Sequence, residues 1–181
     1  NRAAPLDSTA PTFSVSGNPT TWTTSNVTLT VNASDAGSGL NTSGAYSYDN
    51  GSTWTTSNTQ SISTNGTIHI KVKDNVGNIS SQSVIINKID KAAPTFTSIT
   101  QTPTAWTGDT VALTVNGAND NGGSGLNSTA YSFSTTQGEY NWQASNVSSV
   151  FSQNQTVYVY LRDTLGNISA VSTVNITNVD T

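Results

Sequence analysis

The strongest constraint on the fold of this chain is that its sequence contains the same pattern twice. The segment Asp7–Phe13, DSTAPTF, recurs as Asp90–Phe96, DKAAPTF. Further segments recur in the same order: Leu29–Val31 matches Leu113–Val115, Gly37–Leu40 matches Gly123–Leu126, and Lys73–Ser80 matches Arg162–Ser169. An ordered repeat with a period of about 85 residues indicates two copies of one folding unit rather than a single larger domain.

The repeat also predicts the domain boundaries. We expect residues 1–6 to be the tail of a preceding segment, residues 7–89 the first domain and residues 90–179 the second, with residues 180–181 starting a further repeat. The connecting segment, residues 85–94, contains neither glycine nor serine. Because such a connection leaves little room for a hinge, we expect the two domains to form a stiff rod.

Each copy contains short segments in which apolar and polar residues alternate, centred on Leu29 and Ile70 in the first copy and on Leu113 and Val159 in the second. A period of two, rich in β-branched residues, indicates strands with one face in a core. No window of helical length shows a helical period, and turn-forming clusters separate the segments at the spacing of a β-sandwich. We therefore predict an all-β fold of two tandem immunoglobulin-like β-sandwiches, each with about seven strands and no disulfide.

The composition excludes several classes of function. Only 9% of the residues are charged, and the polar surface must come mainly from 31 Thr, 26 Ser and 21 Asn. One histidine (His69), one glutamate (Glu139) and no cysteine leave few groups for acid–base, thiolate or zinc chemistry, so we expect no enzyme. A net charge of −4 argues against nucleic-acid binding, and the longest aliphatic run, residues 84–86, is too short for a membrane span.

Two motifs mark the ends of each copy. Each copy opens with D-x-x-A-P, at Asp7–Pro11 and Asp90–Pro94, and closes with D-x-x-G-N-x-S, at Asp74–Ser80 and Asp163–Ser169. In this order they resemble the bacterial Ig-like (BIg-type) tandem repeat domains of secreted and cell-surface proteins and adhesins. The resemblance implies an extracellular, structural role as a stalk, spacer or adhesion module. The implied partners are neighbouring repeats of the same parent protein and host or environmental glycans or proteins.

Six of the nine aspartates fall at repeated positions. In a seven-strand sandwich the start of the first strand and two of the loops lie at one pole, which would gather Asp7, Asp35 and Asp74 in the first copy and Asp90, Asp120 and Asp163 in the second. Three carboxylates and nearby carbonyl groups could supply the oxygen ligands of Ca²⁺. The resemblance to calcium-rigidified Ig-like and cadherin-like arrays supports Ca²⁺ at the domain poles and junction. The alternative is that each aspartate only caps its own turn.

Two other functions compete with the stalk. Tyr158 and Tyr160 are predicted on the outward face of a strand, with Tyr140 on a nearby hairpin, and exposed rings of this kind stack on sugars in carbohydrate-binding modules. The chain could also be a structural subunit of an extracellular filament, joined end to end or through an exposed sheet edge.

The segment Ser47–Trp54 matches the S-x-D-x-G-x-T-W pattern, the Asp box familiar from sialidase-type propellers. The chain lacks the arginines and glutamates of a sialidase site, so we predict that this motif closes a hairpin. Trp54 matches Trp142 in the second copy, and Trp22 matches Trp106. Recurrence at matching positions indicates packing rather than a ligand platform.

Overall fold

The computed structural model describes residues 6–180, which form β-strands joined by turns and loops. The chain divides between Ile89 and Asp90 into two compact units, here called unit 1 and unit 2. The all-β prediction is confirmed. Of the predicted tail at residues 1–6, residues 1–5 lie outside the described residues, as does the final residue, Thr181. Residues 6–180 include no helix that is long and apolar enough to cross a membrane.

The described part of unit 1 contains six strands in two antiparallel sheets. One sheet has the order β1-β2-β4 and the other β3-β5-β6. The strands are β1 (Thr12–Ser16), β2 (Val27–Ser34), β3 (Tyr46–Ser47), β4 (Thr59–Ile62), β5 (Gly66–Lys73) and β6 (Ile79–Ile86).

The two sheets of unit 1 share one apolar core. Leu29 and Val31 of β2 are fully buried, and they belong to the same cluster as Ile70 and Val72 of β5. Because the cluster draws on both sheets, the sheets face each other in a sandwich-like arrangement. The alternating apolar residues that predicted β2 and β5 are the residues that fill this core.

The described part of unit 2 also contains six strands, in a two-stranded sheet β7-β8 and a four-stranded sheet β10-β9-β11-β12. Leu113 and Val115 of β8 pack in one buried cluster with Val159 and Leu161 of β11. The strands are β7 (Ser98–Thr102), β8 (Ala112–Asn116), β9 (Leu126–Ser134), β10 (Trp142–Gln143), β11 (Gln155–Asp163) and β12 (Ser172–Ile176).

Candidate functional site

Three aspartates converge at one end of unit 1. Asp7 precedes β1, Asp35 directly follows β2, and Asp74 directly follows β5. The start of β1 pairs with the end of β2 in antiparallel register, which brings the first two segments to the same end of the sandwich. One carboxylate oxygen from each aspartate lies within 4.8 Å of the other two. Asp74 is buried and the other two are half-buried.

Unit 2 forms a second cluster from the matching positions. Asp90 precedes β7, Asp120 lies four residues beyond the end of β8, and Asp163 is the last residue of β11. Here too the three carboxylate oxygens lie within 4.8 Å of one another. All three residues are at least nine-tenths buried, with exposed fractions of 4%, 7% and 0%. The structure therefore brings together both predicted sets of aspartates; we call them triad 1 (Asp7, Asp35, Asp74) and triad 2 (Asp90, Asp120, Asp163).

The D-x-x-G-N motif positions the third aspartate of triad 1. The backbone N–H groups of Val76, Gly77 and Asn78 donate to Asp74 Oδ1 at 3.0, 2.6 and 2.7 Å. The Asn78 side chain donates to Asp74 Oδ2 at 2.6 Å and to the Asp7 carbonyl oxygen at 3.3 Å. Gly77 has a φ of 98°, a conformation that glycine adopts without strain. The motif thus caps its turn and also ties it to the segment that carries Asp7.

Unit 2 repeats this arrangement. Asn167 donates to Asp163 through its backbone N–H (2.8 Å to Oδ1) and its side chain (2.5 Å to Oδ2). The same side chain donates to the Asp90 carbonyl oxygen at 3.4 Å. Turn capping, the alternative role predicted for the aspartates, therefore accounts for the bonds of Asp74 and Asp163. It does not account for the convergence of three separate carboxylates, because a cap needs only its own turn.

The Gly-Ser-Gly-Leu segments bring the loop backbone against the triads. The Ser38 N–H donates to Asp7 Oδ2 and the Ser124 N–H donates to Asp90 Oδ2, both at 2.7 Å. A Cβ atom at Gly37 would clash with the Asp7 carboxylate, and one at Gly123 would lie 2.6 Å from Asp90 Oδ2. Only glycine permits this approach. In the sequence these segments stand out only as a repeat; the glycine beside a serine in both copies is the feature that could have pointed to the triads.

Unpaired oxygens gather at the triads. Four buried side-chain oxygens lack a hydrogen-bond partner among the described residues, and three of them are Ser38 Oγ, Asp120 Oδ1 and Ser124 Oγ. Asp120 Oδ2 accepts a bond from the Gly125 N–H at 2.6 Å, so only one of its two oxygens is paired. The Ser38 hydroxyl lies close enough to Asp7 and Asp74 to favour their ionised forms, although it makes no hydrogen bond of good geometry. Buried oxygens of native proteins normally have a partner, so each exception calls for an explanation.

The carboxyl groups of triad 2 respond differently to their surroundings. Burial raises the pKa of Asp90, but hydrogen bonds from Ser124 and Ala92 outweigh burial and hold the pKa below its usual value. For Asp120, burial also raises the pKa; the bond from Gly125 opposes this, and the charges of Asp90 and Asp163 add to it, so the pKa is raised. Keeping Asp120 ionised in the folded protein therefore costs free energy, and a bound cation would remove this cost.

In unit 1, hydrogen bonds from Thr9 and Ser38 hold the pKa of Asp7 below its usual value. Burial raises the pKa of Asp74, but the bonds from Asn78 and Gly77 outweigh it, so the pKa is lowered. Both carboxyl groups are thus ionised at neutral pH, which is the form that coordinates a hard cation.

The Asp box forms a hydrogen-bonded turn. Asp49 Oδ1 accepts bonds from the Ser47 hydroxyl (2.8 Å) and the Thr53 N–H (2.9 Å), and Oδ2 accepts from the Thr53 hydroxyl at 2.6 Å. The Thr53 and Ser47 bonds lower the pKa of Asp49 to about 2. Both oxygens are occupied by the turn itself, which agrees with a structural role.

We expect Asp49→Asn to weaken unit 1 at neutral pH and to lose that effect in acid. The pKa of Asp49 falls from 3.8 to about 2 on folding, so its stabilisation is fully present above pH 3.8 and is lost as the pH falls toward 2. The difference in unfolding temperature between wild type and variant should shrink over this range. Thermal unfolding in a pH series, with exposed Asp109→Asn as control, measures it; a difference that stays constant with pH would contradict the assignment.

The three tyrosines of the predicted glycan patch are not all exposed. Tyr140 is 43% exposed and Tyr158 is half-buried, but Tyr160 is only 5% exposed, so the expectation for Tyr160 is wrong. The loop before β10 covers it: the Gly138 N–H donates to the Tyr160 hydroxyl at 3.0 Å, and the Tyr140 ring packs edge-on at 4.9 Å. Strand alternation placed Tyr160 on the outer face, but it could not show the loop that folds over that face.

The tryptophans follow the packing prediction in three positions and depart from it in one. Lys73 lies over the Trp54 ring at 4.1 Å, Lys88 over Trp22 at 4.7 Å, and Arg162 over Trp142 at 4.5 Å. Each basic group therefore covers part of a ring by a cation–π contact. Trp106 instead is 73% exposed, and Asn178, which has no charge, occupies the position that matches Lys88.

The two remaining groups singled out for chemistry do not join the triads. His69 is exposed on β5, where its Nδ1 lies 2.8 Å from the Ser83 hydroxyl, and Glu139 is exposed in the loop before β10. The triads are thus the groups of ionisable side chains with metal-ligand spacing in residues 6–180. Neither a family model nor a curated protein matches the sequence of this chain.

Proposed function

We propose that this chain is a non-catalytic, immunoglobulin-like repeat region of a cell-surface or secreted protein, acting as a stalk, spacer or adhesion module, and that its triads bind Ca²⁺. The observation that carries the proposal is the convergence of three carboxylates from three separate segments, once in each unit. A catalytic role would need acid–base or nucleophilic groups in a cleft, and the chain has one histidine and no cysteine.

The order of the strands supports the immunoglobulin-like assignment. In that fold the first, second and fifth strands lie in one sheet, and the third, sixth and seventh lie in the other. Unit 1 has β1, β2 and β4 in one sheet and β3, β5 and β6 in the other, which fits this scheme with one strand omitted. Unit 2 keeps the same alternation, with β7 and β8 facing the sheet of β9, β11 and β12.

The donor set suits a hard cation. The triads offer carboxylate oxygens without sulfur or imidazole, the ligand type of Mg²⁺ and Ca²⁺. Two oxygens on one Ca²⁺ ion are separated by up to about 5 Å, since each lies at about 2.3–2.6 Å from the ion. The carboxylate oxygens of each triad lie within 4.8 Å of one another, which fits this spacing. Ca²⁺ is favoured over Mg²⁺ because Mg²⁺ requires shorter, near-ideal octahedral bonds and gives up its water reluctantly.

Triad 2 supports the proposal most strongly. Its three aspartates are buried, and one oxygen of Asp120, Oδ1, has no hydrogen-bond partner among the described residues. A buried carboxylate oxygen without a partner is costly, and a cation would satisfy it. Triad 1 has the same arrangement but leaves Asp7 and Asp35 half-buried, so we expect it to bind more weakly.

A bound ion would link separate segments of the chain through their carboxylates. In unit 2 it would join the segment before β7, the loop after β8 and the end of β11. Because the unfolded chain does not hold these carboxylates together, the ion stabilises only the folded state. Resistance to unfolding is the property that a spacer under mechanical load needs. The buried Tyr160 ring removes aromatic surface from the predicted glycan patch, which favours this function over carbohydrate binding.

Single-molecule force spectroscopy on the complete chain, pulled through its two termini, tests the function. We expect two unfolding events, each releasing about 30 nm of chain, since an extended residue spans about 3.3–3.6 Å. The force for at least one event should be higher in CaCl₂ than in EGTA. MgCl₂ serves as the ion control and should reproduce little of the increase. Equal unfolding forces in CaCl₂ and EGTA would overturn the proposal.

A further inference from the structure

The chain contains four Asn–Gly dipeptides, and the structure places them in different surroundings. Asparagine is thermolabile, and a following glycine lacks the Cβ that would hinder approach of its backbone nitrogen to the asparagine Cγ. Ring closure requires a glycine N–H without a hydrogen bond and an asparagine side chain able to turn toward it. The dipeptides are Asn50–Gly51, Asn65–Gly66, Asn116–Gly117 and Asn121–Gly122.

Hydrogen bonds hinder ring closure at the first two dipeptides. The Gly51 N–H donates to the Ser47 hydroxyl at 2.8 Å, so the attacking nitrogen is occupied. The Asn65 side chain donates to the Ile89 carbonyl oxygen at 2.8 Å and accepts from the Ile89 N–H at 2.9 Å. Its amide is therefore fixed from both sides.

The side chain of Asn116 is held as well. Its Nδ2 lies 3.4 Å from Ser98 Oγ, 3.2 Å from Thr100 Oγ1 and 3.3 Å from the Thr114 carbonyl oxygen. These contacts keep the amide over the β7-β8 sheet, away from the following glycine nitrogen.

The fourth dipeptide meets both requirements. Asn121 and Gly122 are exposed, and within residues 6–180 the Gly122 N–H has no hydrogen-bond partner. The Asn121 side chain makes one bond, from Nδ2 to Thr95 Oγ1 at 3.0 Å, which water can replace at the surface. With φ values of 48° and 85°, and a bond from the Gly123 N–H to the Asp120 carbonyl oxygen, the two residues form a type I′ turn.

The turn at Asn50 provides an internal comparison. Asn50 and Gly51 have φ values of 62° and 91°, and the Ser52 N–H closes the turn to the Asp49 carbonyl oxygen at 3.4 Å. The two turns therefore share their backbone conformation. They differ in that Ser47 occupies the Gly51 N–H.

We propose that Asn121 is the site at which this chain deamidates first, and that the reaction places a new carboxylate beside Asp120. The Gly122 nitrogen loses its proton to solvent and bonds to Asn121 Cγ, and the Cγ–Nδ2 bond breaks. Nδ2 takes up a proton and leaves as ammonia. Water then opens the ring, giving aspartate by attack at Cγ or isoaspartate by attack at the main-chain carbonyl carbon of residue 121. One water is consumed and one ammonia is released.

The product changes the loop that carries Asp120. Either form adds one negative charge to the residue next to triad 2, and isoaspartate also inserts a methylene group into the backbone of the type I′ turn. A Ca²⁺ ion on triad 2 would hold this loop and slow the ring closure. This last effect rests on the proposed function, whereas the identity of the reactive asparagine does not.

The proposal is tested by ageing the complete chain at mildly alkaline pH in EGTA and mapping its peptides by mass spectrometry. Deamidation makes a peptide about 1 Da heavier. We expect Asn121 to convert about tenfold faster than Asn50. Ring closure at Asn50 must first break the hydrogen bond of the Gly51 N–H, and the free energy of one such bond corresponds to about this ratio of rates. Conversion of Asn50, Asn65 or Asn116 at the rate of Asn121 or faster would overturn the proposal.

Ser47→Ala provides the matched variant, because it frees the Gly51 N–H without touching unit 2. We expect it to raise the rate at Asn50 several-fold and leave Asn121 unchanged, while an unchanged rate at Asn50 would contradict the assigned cause. Circular dichroism checks that the variant is folded, and the wild-type comparison of the four asparagines stands without it. Ageing in CaCl₂ separates the two proposals: a reactive Asn121 that Ca²⁺ does not slow would count against the cation site alone.

Discussion

Replacing Asp163 with alanine is expected to lower the free energy of unfolding of unit 2 by about 3 kcal/mol in EGTA, because a buried donor left without a partner costs about 1–3 kcal/mol. Asp163 is fully buried and accepts both the backbone and the side-chain bonds of Asn167. Alanine would leave both donors unpaired and would also release the tie between Asn167 and the Asp90 segment.

This change should lower the unfolding temperature of unit 2 by about 12–24 °C, since 1 kcal/mol corresponds to about 4–8 °C in a domain of this size. Differential scanning calorimetry measures it and also identifies which transition belongs to unit 2. Asp163→Asn keeps one acceptor and should cost less, and exposed Asp109→Ala should change stability by only a few tenths of a kcal/mol. An Asp163→Ala loss no larger than that of Asp109→Ala would show that the turn does not depend on this carboxylate.

The sequence pattern predicted those parts of the fold that depend on local periodicity. Leu29, Ile70, Leu113 and Val159 stand at the centres of alternating segments, and all four are fully buried. The triads could also be predicted, because the antiparallel connection between β1 and β2 brings the start of one strand to the end of the next. A prediction of this kind needs only strand order and the positions of the aspartates.

Contacts made by loops could not be predicted in the same way. Tyr160 is covered because the chain before β10 folds over the outer face of β11, and alternation within β11 holds no information on that loop. The exposure of Trp106 depends on the lack of a basic side chain at the position of Lys88. The unpaired Asp120 Oδ1 and Ser124 Oγ depend on side-chain directions within the triad 2 loop, which residue type alone leaves open.

The second large effect concerns Asp120→Asn, which should stabilise unit 2 in EGTA and abolish its response to Ca²⁺. Three buried carboxylates within 4.8 Å repel one another, and Asp120 holds the oxygen without a hydrogen-bond partner. An asparagine at this position removes one charge and can donate to a neighbouring carboxylate. The same change removes an anionic ligand, so binding of the ion is lost.

A role confined to turn capping predicts a different result. Asp120 Oδ2 accepts one bond from the Gly125 N–H, and an asparagine oxygen can accept the same bond. Under that account Asp120→Asn would leave stability nearly unchanged in EGTA, and CaCl₂ would affect neither protein. The cation site predicts that Asp120→Asn gains stability in EGTA and is no longer stabilised by Ca²⁺. A turn cap predicts neither effect, so the two accounts can be distinguished.

The most direct test is calorimetric unfolding of wild type and Asp120→Asn in EGTA, CaCl₂ and MgCl₂, with Asp109→Asn as the control. With Ca²⁺ at about one hundred times its dissociation constant, wild-type unit 2 should gain about 2.7 kcal/mol, which corresponds to a rise of about 10–20 °C in unfolding temperature. Asp120→Asn should unfold above wild type in EGTA and show no rise in CaCl₂. A wild-type transition that is the same in CaCl₂ and EGTA would contradict the Ca²⁺ site.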